Sequence, residues 1–227
     1  MPSSQASIIP CVISVIRQIR PASILDVGVG FGKWGYLFRE YTDIAESEDD
    51  PGRYPRSGWR VRIEGIEAFA PYLHDGHRFS YDRIHVGDAR EVLPRLGAYD
   101  VVFLGEMIEH LPMAAGEELL RTALDHADRY VILTTPAVDT GQGTACGNPL
   151  ERHCCVWRPE DFRRIGPCLL GWADKRTRIV AYPRGDAAPV RLWDDRVVAA
   201  PPPPAPRTDL FARFGRLLRR CGRRVAG

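Results

Sequence analysis

Apolar residues follow two different periods along the first 185 positions. Between residues 7 and 19 they recur every three or four positions, which is typical of a helix with one buried face. Elsewhere, short apolar runs bounded by glycine, proline or charged residues are typical of buried strands. Strands are therefore predicted near 24–27, 61–66, 83–89, 99–105, 130–136 and 177–182, and further helices over 34–41, 113–129 and 159–165.

Strands and helices alternate from residue 23 to residue 136. Such alternation joins parallel strands through right-handed crossovers, so the pattern predicts an α/β fold with a mainly parallel sheet. Residues 168–182 predict a terminal β-hairpin. Ligands of open α/β sheets bind beyond the carboxyl ends of the strands. Functional residues are therefore expected in the segments that directly follow each strand.

A glycine-rich turn follows the first predicted strand, with the spacing Asp26-x-Gly28-x-Gly30-x-Gly32. Glycine at these positions lets the backbone approach a ligand without a Cβ in the way. A dinucleotide site requires G-x-G-x-x-G directly after the strand. Counted from Gly28, the third glycine position is occupied by Lys33. Counted from Gly30 the pattern occurs, but it begins too late, so a dinucleotide is not the predicted ligand.

This spacing resembles the first motif of the class I S-adenosylmethionine-dependent methyltransferases of small-molecule type. Three further segments resemble the family's later motifs, in the same order along the chain. The resemblance implies a Rossmann-like fold with a seven-stranded, mainly parallel sheet flanked by helices, and S-adenosylmethionine as the cofactor. The cofactor-binding residues that it implies are Asp26, Gly28, Gly30, Gly32, Glu67, Asp88, Ala89 and Glu106.

The resemblance also implies separate roles for the later motifs. Glu67 would accept hydrogen bonds from both ribose hydroxyls, a task that suits an acceptor-only carboxylate. Asp88 would bind the adenine amino group, and the backbone amide near Ala89 would bind a ring nitrogen. Lys33 either approaches the carboxylate of the cofactor or is simply solvated.

Two histidines are candidates for a general base. His110 follows Glu109 after the fourth predicted strand, and His153 lies in the segment after the fifth. Because histidine titrates near neutral pH, both favour a hydroxyl oxygen as the acceptor of the methyl group. The alternatives are that His110 caps the adjacent helix and lines the cofactor pocket, and that His153 packs near Trp157.

A zinc site is the obvious alternative use of His153. Cys146, Cys154 and Cys155 lie close to it in the sequence. However, adjacent cysteines rarely bind the same tetrahedral ion, and a C-x-x-C pair is missing. The sequence therefore predicts no metal site.

The chain divides into three predicted parts. Residues 1–185 form the methyltransferase domain, in which 42–58 are an inserted acidic surface loop or, alternatively, a lid over the substrate pocket. Residues 186–206 are a proline-rich linker. Residues 207–227 carry seven arginines and one aspartate and predict a basic amphipathic helix. It would bind an anionic membrane surface or an acidic protein, or pack on its own domain; nucleic acid is not the expected partner.

The predicted function is transfer of a methyl group to a small molecule. One alternative is a non-catalytic scaffold that acts through its basic tail; another is a methyltransferase that acts on protein or nucleic acid. Gly105 and Glu106 stand where a base methyltransferase would carry an Asn-Pro-Pro-Tyr type motif. Six irregularly spaced cysteines and the lack of a signal peptide predict a cytoplasmic protein, peripheral at the membrane if the tail binds there.

Overall fold

The structure is a computed structural model of the 227-residue chain, and it describes residues 4–192. The predicted basic helix at 207–227 and all but the first seven residues of the predicted linker lie outside this range. None of the described helices is both long and apolar enough to cross a membrane.

Seven strands form one sheet in the order β3-β2-β1-β4-β5-β7-β6. The first five strands are parallel, and β7 is antiparallel to both β5 and β6. The predicted Rossmann-like α/β fold is therefore confirmed. The strands are β1 (Ser23–Val27), β2 (Arg62–Glu67), β3 (Arg83–Val86), β4 (Tyr99–Gly105), β5 (Ala127–Pro136), β6 (Leu169–Trp172) and β7 (Thr177–Pro183).

Helices cover both faces of the sheet. They are α1 (Ile9–Ile19), α2 (Lys33–Arg39), α3 (Asp75–Ser80), α4 (Ala89–Val92), α5 (Met113–Asp125) and α6 (Pro159–Ile165). Successive strand residues point to opposite faces, so Ile24 packs with Ile16 and Phe38 on one side. Its neighbour Leu25 packs with Leu120 on the other side. Two apolar layers therefore pack against the two faces of the sheet, and loops lie at the carboxyl ends of its parallel strands.

The boundary between α5 and β5 differs from the prediction. A helix was expected to run to residue 129, with Ala127 on its buried face. In the structure α5 ends at Asp125, and Ala127 already pairs with Tyr99 of β4. Ala127 is buried in both cases, which is why its apolar character alone did not separate a helix end from a strand start.

The inserted segment 42–58 is more ordered than the expected surface loop. A π-helical turn at Glu40–Ile44 extends α2, and short 3-10 turns follow. Asp43 is fully buried, which corrects the expectation that this segment buries little. Its carboxylate accepts hydrogen bonds from Arg39 at 2.6 Å and from Arg53 at 2.5 Å. This buried ion network fixes the insertion to the domain.

Candidate functional site

An open cleft lies beyond the carboxyl ends of the first four strands, where ligands of open α/β sheets bind. Among its lining residues are most of those that the sequence singles out: Gly28, Gly30, Lys33, Glu67, Asp88, Ala89, Glu106 and His110. Asp26, Gly32 and His153 are not in its lining, and no described residue of 42–58 is either.

The glycine turn between β1 and α2 is built from left-handed backbone. Gly28, Gly30 and Gly32 have φ angles of 87°, 55° and 84°. A Cβ on Gly28 would lie 2.8 Å from Cγ of Met107, so a side chain there is excluded by contact as well as by conformation. Gly32 forms the N-cap of α2 and ends the turn.

Four backbone amides of this turn are already used within the protein. Those of Gly28 and Val29 donate to the carbonyl of Ile66, and that of Gly32 donates to Val29. The amide of Gly30 donates to the carboxylate of Glu67. Because a dinucleotide site relies on such amides to bind the pyrophosphate, this turn fits a ligand without phosphate at that position.

Glu67 is held in place at the end of β2. Its Oε2 accepts from Gly30 N at 2.7 Å, and its Oε1 accepts from Phe69 N at 2.7 Å. The residue is 6% exposed and lines the cleft. A carboxylate has about four lone-pair positions, so each oxygen can accept one more hydrogen bond. Glu67 is therefore a fixed double acceptor, as a pair of ribose hydroxyls requires.

Asp26 lies beneath the glycine turn. Its Oδ2 accepts from the hydroxyl of Tyr81 at 2.5 Å, and that hydroxyl in turn accepts from Gly35 N at 3.0 Å. Complete burial raises the pKa of Asp26 to about 7, against the lowering effect of Tyr81; Glu67 raises it further. The side chain therefore supports the turn from within the core, and its predicted contact with the cofactor stays a prediction.

Asp88 ends β3 and caps α4. Its Oδ1 accepts from Arg90 N at 2.9 Å, and the guanidinium of Arg90 also binds the carboxylate. This pairing lowers the pKa of Asp88. Ala89 begins α4, so its backbone N–H belongs to the group that a helix leaves without an internal acceptor. Both residues predicted to contact adenine therefore line the cleft. Arg90, which pairs with Asp88, lines it too.

Glu106 follows β4 with a φ angle of 51°. Burial raises the pKa of its carboxyl group, while Ser4 and Lys33 oppose the rise. Lys33 donates to the carbonyl of Ser4, and Trp34 Nε1 donates to Ser4 Oγ at 3.0 Å. Residues near the amino terminus thus form one wall of the cleft, a role that the sequence pattern did not indicate.

The two candidate bases lie together. The rings of His110 and His153 are 4.8 Å apart between centroids, at 77° to one another. Burial and the neighbouring His110 lower the pKa of His153 to about 4. Glu109, which precedes His110, is 1% exposed, and burial raises its pKa to about 8. The structure therefore joins three titratable side chains from two segments that are more than forty residues apart.

Comparison with known proteins relates this arrangement to solved structures. The magnesium protoporphyrin IX methyltransferase of Synechocystis PCC 6803 with bound SAH shares 14% identity at a TM-score of 0.51, over 78% of this chain and 82% of that one. The DhpI–SAM–HEP complex shares 12% identity at 0.55, over 79% and 88%. An O-methyltransferase family protein of Burkholderia thailandensis shares 13% at 0.51, over 78% and 51%. The chain has the class I methyltransferase fold.

Sequence comparison adds nothing to this likeness, since no protein-family model and no curated protein matches the chain. At such low identity the solved structures show the fold alone. The assignment of residues within this methyltransferase fold therefore depends on the geometry of the cleft.

Other residues of the cleft were not predicted from the sequence. Phe31 stacks near Tyr72 at 4.7 Å between ring centroids, and the Tyr72 hydroxyl donates to Glu151 at 3.1 Å. Asn148 caps the short turn that carries Leu150. Asn148 and Glu151 lie in the same segment after β5 as the candidate base His153, and this position was the signal available for them.

Proposed function

We propose that the protein transfers a methyl group from S-adenosylmethionine to a hydroxyl oxygen of a small molecule. The observation that carries this proposal is the position of Glu67. A buried, doubly anchored carboxylate faces the same cleft as the glycine turn and His110. When bound, the cofactor supplies an electrophilic methyl group on a positive sulfur, so the protein has to bind, orient and keep out water.

The described residues fit this cofactor in three respects. Four amides of the glycine turn donate hydrogen bonds within the protein, which suits a nucleoside without a pyrophosphate. Glu67 has capacity for two further donors. The apolar and aromatic groups of Ile66, Phe31 and Trp34 are part of the cleft wall and would exclude water.

The acceptor is inferred from the other end of the cleft. His110 is in the cleft lining. His153 is not in the lining, but its ring contacts the ring of His110. A hydroxyl acceptor must lose its proton during the transfer, whereas an amine acceptor can react once it is positioned. Two adjacent imidazoles that could accept the proton of a hydroxyl group therefore favour oxygen over nitrogen as the acceptor atom.

The likeness to solved methyltransferases supports the reaction class. Two of the three structures above carry SAH or SAM, and the third is described as an O-methyltransferase family protein. These names belong to the other proteins. They agree with the donor and with the acceptor atom that the cleft suggests.

Calorimetric titration of the full chain with S-adenosylmethionine and S-adenosylhomocysteine tests the proposal. We expect micromolar binding by the wild type. Glu67→Ala removes two charge-assisted acceptors and should weaken binding by about tenfold to a hundredfold. Glu91→Ala removes an exposed carboxylate on α4 that does not line the cleft, and should bind as the wild type does.

Each result has a clear meaning. Binding that is lost in Glu67→Ala and kept in Glu91→Ala supports the site and justifies a screen of hydroxylated acceptors, followed by mass spectrometry of the products. A folded wild-type protein that binds neither ligand overturns the proposal. Methylation of amines but of no alcohol or phenol in the screen would overturn the choice of oxygen.

A further inference from the structure

Three potential metal ligands meet beside the cleft. We call Glu109, His110 and His153 the Glu-His-His cluster. One ligand atom from each side chain lies within 4.8 Å of the other two. Glu109 and His110 belong to the turn after β4, and His153 to the segment after β5. The chain therefore brings an oxygen and two nitrogen donors to one point.

Glu109 has an oxygen atom without a partner. Its Oε2 accepts from Thr135 Oγ1 at 3.0 Å, but Oε1 is buried and has no hydrogen bond. Within residues 4–192, no basic side chain forms an ion pair with this carboxylate. An isolated buried carboxylate is costly, so this oxygen lacks a partner that would offset the cost.

Both histidines are oriented through Nδ1. His110 Nδ1 lies 3.2 Å from the carbonyl of Arg152, which can only accept, so Nδ1 carries the proton. His153 Nδ1 lies 2.9 Å from Thr140 Oγ1. In metal sites the distal ring nitrogen usually donates to a carbonyl or another oxygen while the other nitrogen binds the ion. Nε2 of each histidine is the atom that this arrangement leaves for a ligand.

The two segments are also tied together through the backbone. The amide of Cys154 donates to the carbonyl of Glu109 at 2.8 Å. The thiol of the same cysteine contacts the carbonyl of His110 at 3.2 Å. His153 is thus held next to Glu109 and His110 by its neighbour in the chain. Donors on one tetrahedral ion at about 2.1 Å are about 3.4 Å apart, so donor atoms that lie within 4.8 Å of one another need to approach by about 1.4 Å at most.

We propose that the Glu-His-His cluster binds one divalent transition-metal ion, which coordinates the acceptor oxygen at the end of the cleft. Two imidazoles and one carboxylate suit the ions from manganese to zinc better than magnesium or calcium. Three protein ligands leave coordination positions open, as in catalytic rather than structural sites. Such an ion would lower the pKa of a bound hydroxyl group, whose proton would leave to water, so neither histidine would have to accept it.

The ion-binding part stands on the cluster alone, while the acceptor-binding part rests on the proposed methyl transfer. It also differs from the sequence prediction, which considered only the cysteines around His153 and expected no metal. The cluster uses the carboxylate and imidazole that the fold brings from the turn after β4.

Titration of the chelator-treated full chain with Co²⁺ tests this proposal, with visible d–d absorption and calorimetry as readouts. We expect saturable binding of one ion. Glu109→Gln, His110→Gln and His153→Gln should each weaken it by at least about tenfold, and Thr140→Ala, an exposed position that only orients His153, by about tenfold. His126→Gln changes a histidine outside the cluster and should bind as the wild type does.

Thermal melts of every variant show whether it is folded. No saturable Co²⁺ binding by the folded wild type, or unchanged affinity in folded Thr140→Ala and His153→Gln, would overturn the metal site. S-adenosylmethionine titrations of the same metal-free samples keep the two proposals apart. Cofactor binding without Co²⁺ binding refutes the metal site alone, whereas Co²⁺ binding without cofactor binding refutes the methyl transfer alone.

Discussion

The carboxylates at the two ends of the cleft differ in how completely they are hydrogen-bonded. At the glycine turn, Glu67 receives a backbone hydrogen bond on each oxygen, and the amides around it are engaged. At the Glu-His-His cluster, Glu109 keeps a buried oxygen without any partner. Both carboxylates are nearly inaccessible to solvent, at 6% and 1% exposed. Only Glu67 accepts a hydrogen bond from the protein on both of its oxygens, because Glu109 accepts one on Oε2 alone.

This difference separates a preformed site from one that a ligand completes. A carboxylate anchored by two amides keeps its position whether or not the cleft is filled. An unpartnered buried carboxylate lowers the stability of the empty protein. A ligand that binds this carboxylate removes the destabilisation, and the recovered free energy adds to its affinity. Substitutions at the two ends should therefore have opposite consequences.

The largest effect is expected for Gly28→Val. The φ angle of 87° is strongly unfavourable for a β-branched residue, and its Cβ would meet Met107 at 2.8 Å. We expect no measurable binding of S-adenosylmethionine by calorimetry. Gly97→Val is the control, because no atom lies within 4 Å of its Cβ position. Wild-type affinity in a folded Gly28→Val protein would show that the preformed end does not bind the cofactor.

A smaller effect is expected for Asp26→Asn, measured as stability. The pKa of Asp26 is raised to about 7 in the folded protein from 3.8, so the folded state binds the proton more tightly. Its contribution to stability is therefore present at low pH and is lost as pH rises towards 7. Between pH 5 and pH 8 the wild type should lose about 3 kcal/mol that the Asn variant does not lose.

Urea unfolding at both pH values measures this difference. The Asn side chain can still accept from Tyr81, so the hydrogen bond under the turn remains. Equal pH dependence in the two proteins would mean that Asp26 is ionised in the folded state and that its environment is more polar than the structure indicates.

The smallest effects compare one substitution at the two ends. Glu67→Gln places an amide group against one of two backbone donors and should lower the free energy of unfolding by about 1–3 kcal/mol. Because burial raises the pKa of Glu109 to about 8, the comparison is made above that pH, where Glu109→Gln removes an uncompensated carboxylate and should raise the free energy of unfolding of the metal-free protein by about 1 kcal/mol. Urea unfolding of both variants decides the matter. If the free energy of unfolding changed in the same direction in both variants, the proposed contrast between the two ends of the cleft would be wrong.

Much of the fold was predictable because the signals are local. Strand periodicity placed β1, β2 and β4 to within one residue, and α6 begins at the predicted proline. Ala127 was misplaced because a buried small residue fits a helix end and a strand start equally well. Asp43 was missed since its partner Arg53 is ten residues away, and polarity alone suggests exposure.

Individual site residues could be predicted from the sequence, but the contact between His110 and His153 could not. Glu67, Asp88 and Glu106 each follow a strand, and parallel strands bring such positions to one edge. The meeting of His110 with His153 depends on β5 and on the hydrogen bond between Cys154 and Glu109. No local pattern contains that information, and the sequence drew attention to the cysteines near His153 rather than to Glu109 and His110.

The contact of Ser4 with Lys33 and Trp34 has a practical consequence. Any tag or fusion partner joined at the amino terminus adds chain within a few residues of the cleft wall. We expect such an extension to disturb the contacts of Ser4 and to slow the entry of a ligand without changing any side chain of the site. Kinetic comparison of proteins made with different amino-terminal extensions would therefore show whether Ser4 limits access to the cleft.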